Sequence, residues 1–191
     1  MIFKYLSSES DLQKISLSQS WSAFIPFEVY RNWKDSNSDK KIHSLLLGYA
    51  YEGYTEPFSS FCGGWWVLLY NDRNQAFKLI RDRDSISTSL FYSWHNGTFH
   101  LAQDIFQIIE KCSPGVNFSF LVARNCRGEF DINETSFEGV YHLPGGHQYN
   151  HVSGTSRLSK YWNPDKGNKL KPHHDPYFLG QEILKKDKYT N

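Results

Sequence analysis

Residues 61–66, FCGGWW, place a thiol directly before two glycines. A thiolate at Cys62 would be a nucleophile for acyl transfer if a base stood beside it. Histidines offer a second chemistry. His142, His147 and His151 are spaced five and four apart around Pro144-Gly145-Gly146, and His173 and His174 are adjacent. Zinc sites need tight pairs with carboxylate or thiolate support. The first group has no tight pair, and the adjacent side chains of the second point apart in an extended chain, so the spacing predicts no metal site. No Ser/His/Asp set lies in a nucleophile-elbow context, and no glycine-rich loop has a phosphate-binding pattern.

The elements around these residues decide between the readings. "GWWVLLY" (64–70) is apolar at successive positions, as in a strand buried on both faces. Cys62 opens that strand and is expected to be a buried, inert core residue. "NDRNQ" (71–75) is turn material, and "AFKLIRD" (76–82) reads as the partner strand. "SLFYSW" (89–94) and "TFHLA" (98–102) flank Asn96-Gly97, a tight hairpin signal. In "QDIFQIIEK" (103–111), Ile105, Ile108 and Ile109 mark a helix face, which "SPG" stops. "FSFLVARNC" (118–126) fits a helix or a strand. Upstream, "IFKYL", "SAFIPFEVY" and "IHSLLLGYAY" (42–51) read as strands, with "KDSNSDKK" (34–41) and "EGYTEPFSS" (52–60) as loops. "EGVYHLPGGHQYNHV" (138–152) reads as turn, strand and bend. A polar linker (165–175) then precedes a helix at 175–189, with Asp175 as its cap and Pro176 at its first position. Hairpins followed by helices predict an α+β layered domain.

The chain has 191 residues, enough for a sizeable core. Lys+Arg 21 against Asp+Glu 20 gives no basic surface for nucleic acid or anionic membrane. Three scattered cysteines make no disulfide framework, and no run reaches the length of a membrane span. A reducing, cytoplasmic location is expected. Aromatic residues reach 17 % and lie mostly inside strand-like runs, which assigns them to a sheet core rather than to a ligand platform.

Five segments in order resemble the N-terminal glutaminase domain of the asparagine synthetases, a class II glutamine amidotransferase. They are "CGGWWVLLYN", "IRDRDSISTSLFY", "LAQDIFQII", "TSFEGVYHLPGGHQ" and "YWNP". The resemblance covers roughly residues 40–165. It implies a four-layer α/β/β/α sandwich of the N-terminal-nucleophile hydrolase type, with antiparallel sheets, over 1–164. Residues 165–191 would be a linker and the first helix of a missing synthetase domain.

The resemblance also implies where the chemistry should stand. The family's nucleophile is the first residue of the mature chain, because its own α-amine is the base. Here that position is Ile2, and Cys62 falls at a different family position. The family's N-G-E-[IL]-Y-N motif holds glutamine; its best match, "LGYAYE", has Leu47 for Asn, keeps Gly48, and has Tyr49 for Glu. The short 52–60 loop has no room for the segment that contacts the glutamine amine. Arg81, Asp82 and Arg83 match a structural charge pair or an interdomain contact, and Pro144, Gly145 and His147 match a structural turn. The resemblance is strongest to members lacking the N-terminal cysteine, the β-lactam synthetase and lasso-peptide cyclase type. It therefore implies a non-catalytic scaffold of an ATP-dependent ligase. ATP and Mg would belong only to the synthetase domain, the partner in cis or in trans, and self-association would be a further contact. The chain would be an excised domain, a truncated product or a split subunit. Two other readings stand beside it: an active glutaminase with a misassigned start, and a free-standing interaction module.

Overall fold

The computed structural model describes residues 2–6, 11–52, 64–83, 89–128 and 131–161. Cys62, most of the 52–60 loop, the linker and the helix expected at 175–189 lie outside the described residues, as does the boundary expected at 164/165. The chain is mixed α+β and forms two compact units, one of residues 1–9 and 85–145, the other of 10–84 and 146–191.

The second unit is built on strands β2 (Leu12–Ser16), β3 (Trp21–Pro26), β4 (Trp66–Asn71), β5 (Phe77–Arg81), β9 (His147–Val152) and β10 (Thr155–Lys160). They run in the order β10-β9-β5-β4-β3-β2, with every pairing antiparallel. The expectation for 64–70 holds: Trp66, Val67, Leu68 and Leu69 on β4 are all buried, so neither face of the strand is wet.

Helices α1 (Phe27–Ser36) and α2 (Asp39–Glu52) complete this unit. Three expectations are corrected here. "SAFIPFEVY" is a strand only to Pro26, after which the chain turns into α1. "KDSNSDKK" is not a loop but the last turn of α1 and the first of α2, divided by Asn37 and Ser38. "IHSLLLGYAY" is not a strand but the body of α2. A run that is apolar at nearly every position has no period that tells a buried strand from a buried helix. Two local signals settle it. The Ser38 hydroxyl accepts the Lys41 N–H at 3.3 Å, which caps the first turn. Fourteen residues is a helical length rather than a strand length. Ile42, Leu45, Leu46, Leu47, Tyr49 and Ala50 then join Trp33 of α1 and Trp21, Ala23, Ile25, Val67, Leu69 and Ile80 of the sheet in one core. The Trp33 and Trp65 indoles meet edge to face at 5.8 Å.

The first unit holds a four-stranded sheet in the order β1-β7-β6-β8, from β1 (Ile2–Tyr5), β6 (Phe91–His95), β7 (Thr98–Ala102) and β8 (Val140–His142). The β6–β7 hairpin forms as expected, with Asn96 and Gly97 at φ 50° and 71°. The β1–β7 pairing is parallel, a departure from wholly antiparallel sheets. Helix α3 (Ile105–Cys112) starts on Asp104, whose carboxylate accepts the Phe106 N–H, and ends at Ser113 in the left-handed region. Ala102, Ile108, Cys112 and Val140 form the core beneath it. The ambiguous 118–126 stretch is helical: α4 (Phe118–Val122), capped by Asn117, passes into a π-helical turn at Ala123–Arg127.

Two described thiols differ sharply. Cys112 is buried, and that burial raises its pKa; Cys126 is exposed on the π-helical turn. In the folded chain Cys126 should react with a thiol reagent roughly 100-fold faster than Cys112. Peptide mapping after timed labelling checks this, and equal rates would refute the packing of α3.

Candidate functional site

The expected site residues fall in several places. Ile2 opens β1 and pairs with Thr98 of β7. Its hydrocarbon side chain supplies no nucleophile, whatever the backbone does there. Leu47, Gly48 and Tyr49 lie in the third turn of α2, not at a strand end. Leu47 is 0 % exposed and Tyr49 2 %. Both belong to the helix–sheet core, so this segment presents no surface to a small polar ligand.

The end of α2 carries a group that the sequence reading passed over. Lys78 of β5 donates from Nζ to the carbonyls of Tyr49 and Ala50, both at 2.9 Å. Its ammonium also lies 6.0 Å from the Trp21 ring centroid. The last carbonyls of a helix have no partners within it and carry its negative dipole end, so a cation here satisfies both needs. Burial lowers the lysine pKa to about 8. The sequence signal was present: a lone polar residue alternating with Phe77 and Leu79, on a strand with neighbours on both sides.

Arg81 ends β5 and Asp82 follows it, and both are buried. Burial lowers the Arg81 pKa to about 10, while the Asp82 charge acts against that shift. Their backbone is tied three ways. The Asp82 N–H donates to the Trp65 carbonyl at 2.9 Å, and the Gly146 N–H donates to the Asp82 carbonyl at 3.0 Å. The Tyr161 hydroxyl donates to the Arg81 carbonyl at 2.6 Å, and its N–H to the Gly146 carbonyl at 3.0 Å. The structure thus brings Arg81, Asp82, Gly146 and Tyr161 together. Gly146 sits at φ 67°, where a side chain is strained. Arg83 is exposed beside this cluster, Pro144 and Gly145 end the first unit, and His147 begins β9 half-buried.

The histidines do not gather. His142 on β8 lies against Phe91, with ring centroids 5.4 Å apart. His151 on β9 stacks on Phe77 at 5.2 Å, and its Nδ1 meets the Ser156 hydroxyl at 2.8 Å. A serine and a histidine in contact can form a nucleophile and base. Here they are register partners across the β9–β10 hairpin, and the contact ties that hairpin. Among the described residues, no group of three or more His, Cys, Asp or Glu is placed to hold a metal ion. No helix among them is long and apolar enough to cross a membrane.

No protein-family model matches the chain, and no curated protein matches it.

Two measurements test this geometry. Tyr161→Phe removes a short buried hydrogen bond and should cost about 1–2 kcal/mol in denaturant unfolding. A cost near zero would mean that Tyr161 does not hold the end of β5. Lys78 gives a pH signature. Its folded pKa, about 8, lies below its unfolded value, so between them the unfolded chain binds more protons. The penalty of the buried charge is present below pH about 8 and is relieved as pH rises towards about 10.5. The stability of wild type minus that of Lys78→Met should therefore grow from pH 7 to pH 10. A difference that stays flat over that range would sink the assignment.

Proposed function

We propose that this chain is a glutaminase-like scaffold without glutaminase chemistry, in the manner of the front domain of an asparagine synthetase-like, ATP-dependent ligase. The observation that carries the proposal is the fate of the positions that the resemblance assigns to glutamine. Ile2 offers no thiol, and Leu47 and Tyr49 are core residues of α2 rather than ligand contacts. The order of the five segments supports the family frame. So does the joining of two of them with the start of a third, through Arg81, Asp82, Gly146 and Tyr161. Among the described residues, the two antiparallel-dominated sheets and four α-helices are compatible with a four-layer α/β/β/α sandwich, which belongs to the same proposal.

On this reading, amide formation on an adenylated carboxylate is the work of a synthetase domain in cis or in trans. ATP and Mg bind there, and the protein acts in the cytoplasm. Arg81, Asp82 and the 144–147 bend serve structure or the contact with that domain.

Ammonia release from millimolar glutamine tests the proposal. Release should stay at background, and Ile2→Cys should not create it, because the positions that would hold glutamine are packed into the core. Turnover that a thiol-directed inhibitor abolishes would overturn the proposal.

A further inference from the structure

The sheet of the first unit carries a polar row on the face that α3 covers. Strand register sets it out. Lys4 of β1 pairs with His100 of β7, and His100 pairs with Ser93 of β6. Register partners share a face, so these three side chains stand side by side. His95 lies diagonally from His100, with ring centroids 6.3 Å apart. From the last turn of α3, the Cys112 thiol hydrogen-bonds with Ser93, and Lys111 acts on His100 by its charge.

The row is one-sided in charge. His100 is 3 % exposed, and its buried Nδ1 has no hydrogen-bond partner among the described residues. An unmet buried ring nitrogen is costly and calls for a ligand or a proton partner. Burial lowers the His100 pKa first, then the charges of His95, Lys4 and Lys111. All three neighbours act in the same direction, and no carboxylate among the described residues opposes them. Lys4 and Lys111 are exposed and His95 is half-buried, so solvent reaches the cationic neighbours of a buried imidazole.

We propose that Lys4, His95, His100 and Lys111 form a binding site for a small tetrahedral oxyanion, sulfate or a phosphate group. The anion supplies the negative charge that the row lacks, and charge-assisted hydrogen bonds from two ammonium groups and an imidazole hold it. His100 takes up a proton as the anion binds, so binding strengthens as pH falls. The groups facing His100 are Lys4 from β1, Ser93 and His95 from β6, and Lys111 and Cys112 from α3. None of them, at these pH values, reverses that sign.

The test uses the full chain and sulfate, which stays dianionic from pH 5 to pH 8. Sulfate at low millimolar concentration, against chloride of matched ionic strength, should raise the unfolding midpoint by about 3–5 °C at roughly ten times its dissociation constant. The rise should saturate, unlike general salting-out, and should be larger at pH 6 than at pH 8. Lys4→Gln/Lys111→Gln alters only exposed side chains and should abolish the saturable part. Inorganic phosphate and glycerol 3-phosphate then distinguish a free anion from a phosphoester; binding of either supports the site. A midpoint equal in sulfate and chloride overturns the proposal. So does a saturable rise that survives in the double variant, because the anion then sits elsewhere.

Discussion

Strand β4 has no wet face, and the second unit is arranged around that constraint. Trp66 and Leu68 are buried on one side, Val67 and Leu69 on the other. At about 25 cal/mol per Å² of apolar surface, such a strand is a large source of stability, provided both faces stay covered. Helices α1 and α2 cover one face, and they do so with large residues: Trp33, Ile42, Leu45, Leu46 and Tyr49. That demand explains why α2 is buried at every position from Ser44 to Ala50. A helix with a wide wet face could not bring so many side chains to the sheet and to α1 together.

A core this dry makes its polar groups expensive, and the molecule meets the cost at the strand ends and helix ends. Lys78 stands on the covered face, yet it reaches the carbonyls that α2 leaves open. Each group answers the other's deficit. Tyr161 does the same for the Arg81 carbonyl, where the pairing of β5 with β9 has ended. These contacts are few, but each removes a buried orphan, and orphans cost more than ordinary hydrogen bonds contribute.

Residue patterning makes much of the sheet legible in the sequence. The β4–β5 and β6–β7 hairpins and α3 follow from apolar runs broken by turn residues, from Asn96-Gly97 and from the isoleucine spacing. It failed where the pattern has no contrast. In the body of α2, from Leu45 to Tyr51, the residues run without polar contrast, so the deciding signal was the Ser38 cap, hidden in a stretch read as loop. Strand β10 failed for the opposite reason: Thr155–Lys160 is mostly exposed and has no apolar alternation to read. Pairing with β9 alone makes it a strand. The polar contacts were the least legible part. Lys78 and His100 look like ordinary outward-facing strand residues until a helix is laid over them.

The helix over the sheet also bears on how the proposed loss of glutamine chemistry is held. A ligand site emptied by single substitutions could be refilled by reversing them. Positions 47 and 49 are different, because they now belong to the packing of α2. An asparagine at position 47 would bury an amide among Leu46, Val67 and their neighbours without a partner, at a cost of about 1–3 kcal/mol. A glutamate at position 49 would bury a carboxyl in the space of a phenol ring, and that carboxyl would neutralise rather than bind an amine. On the proposed reading, recovering the chemistry requires the segment to leave the helix. That would strip Leu47, Tyr49 and Ala50 from the core on the covered face of β4. The scaffold and the glutamine site then compete for the same residues, and the stability of the core favours the scaffold.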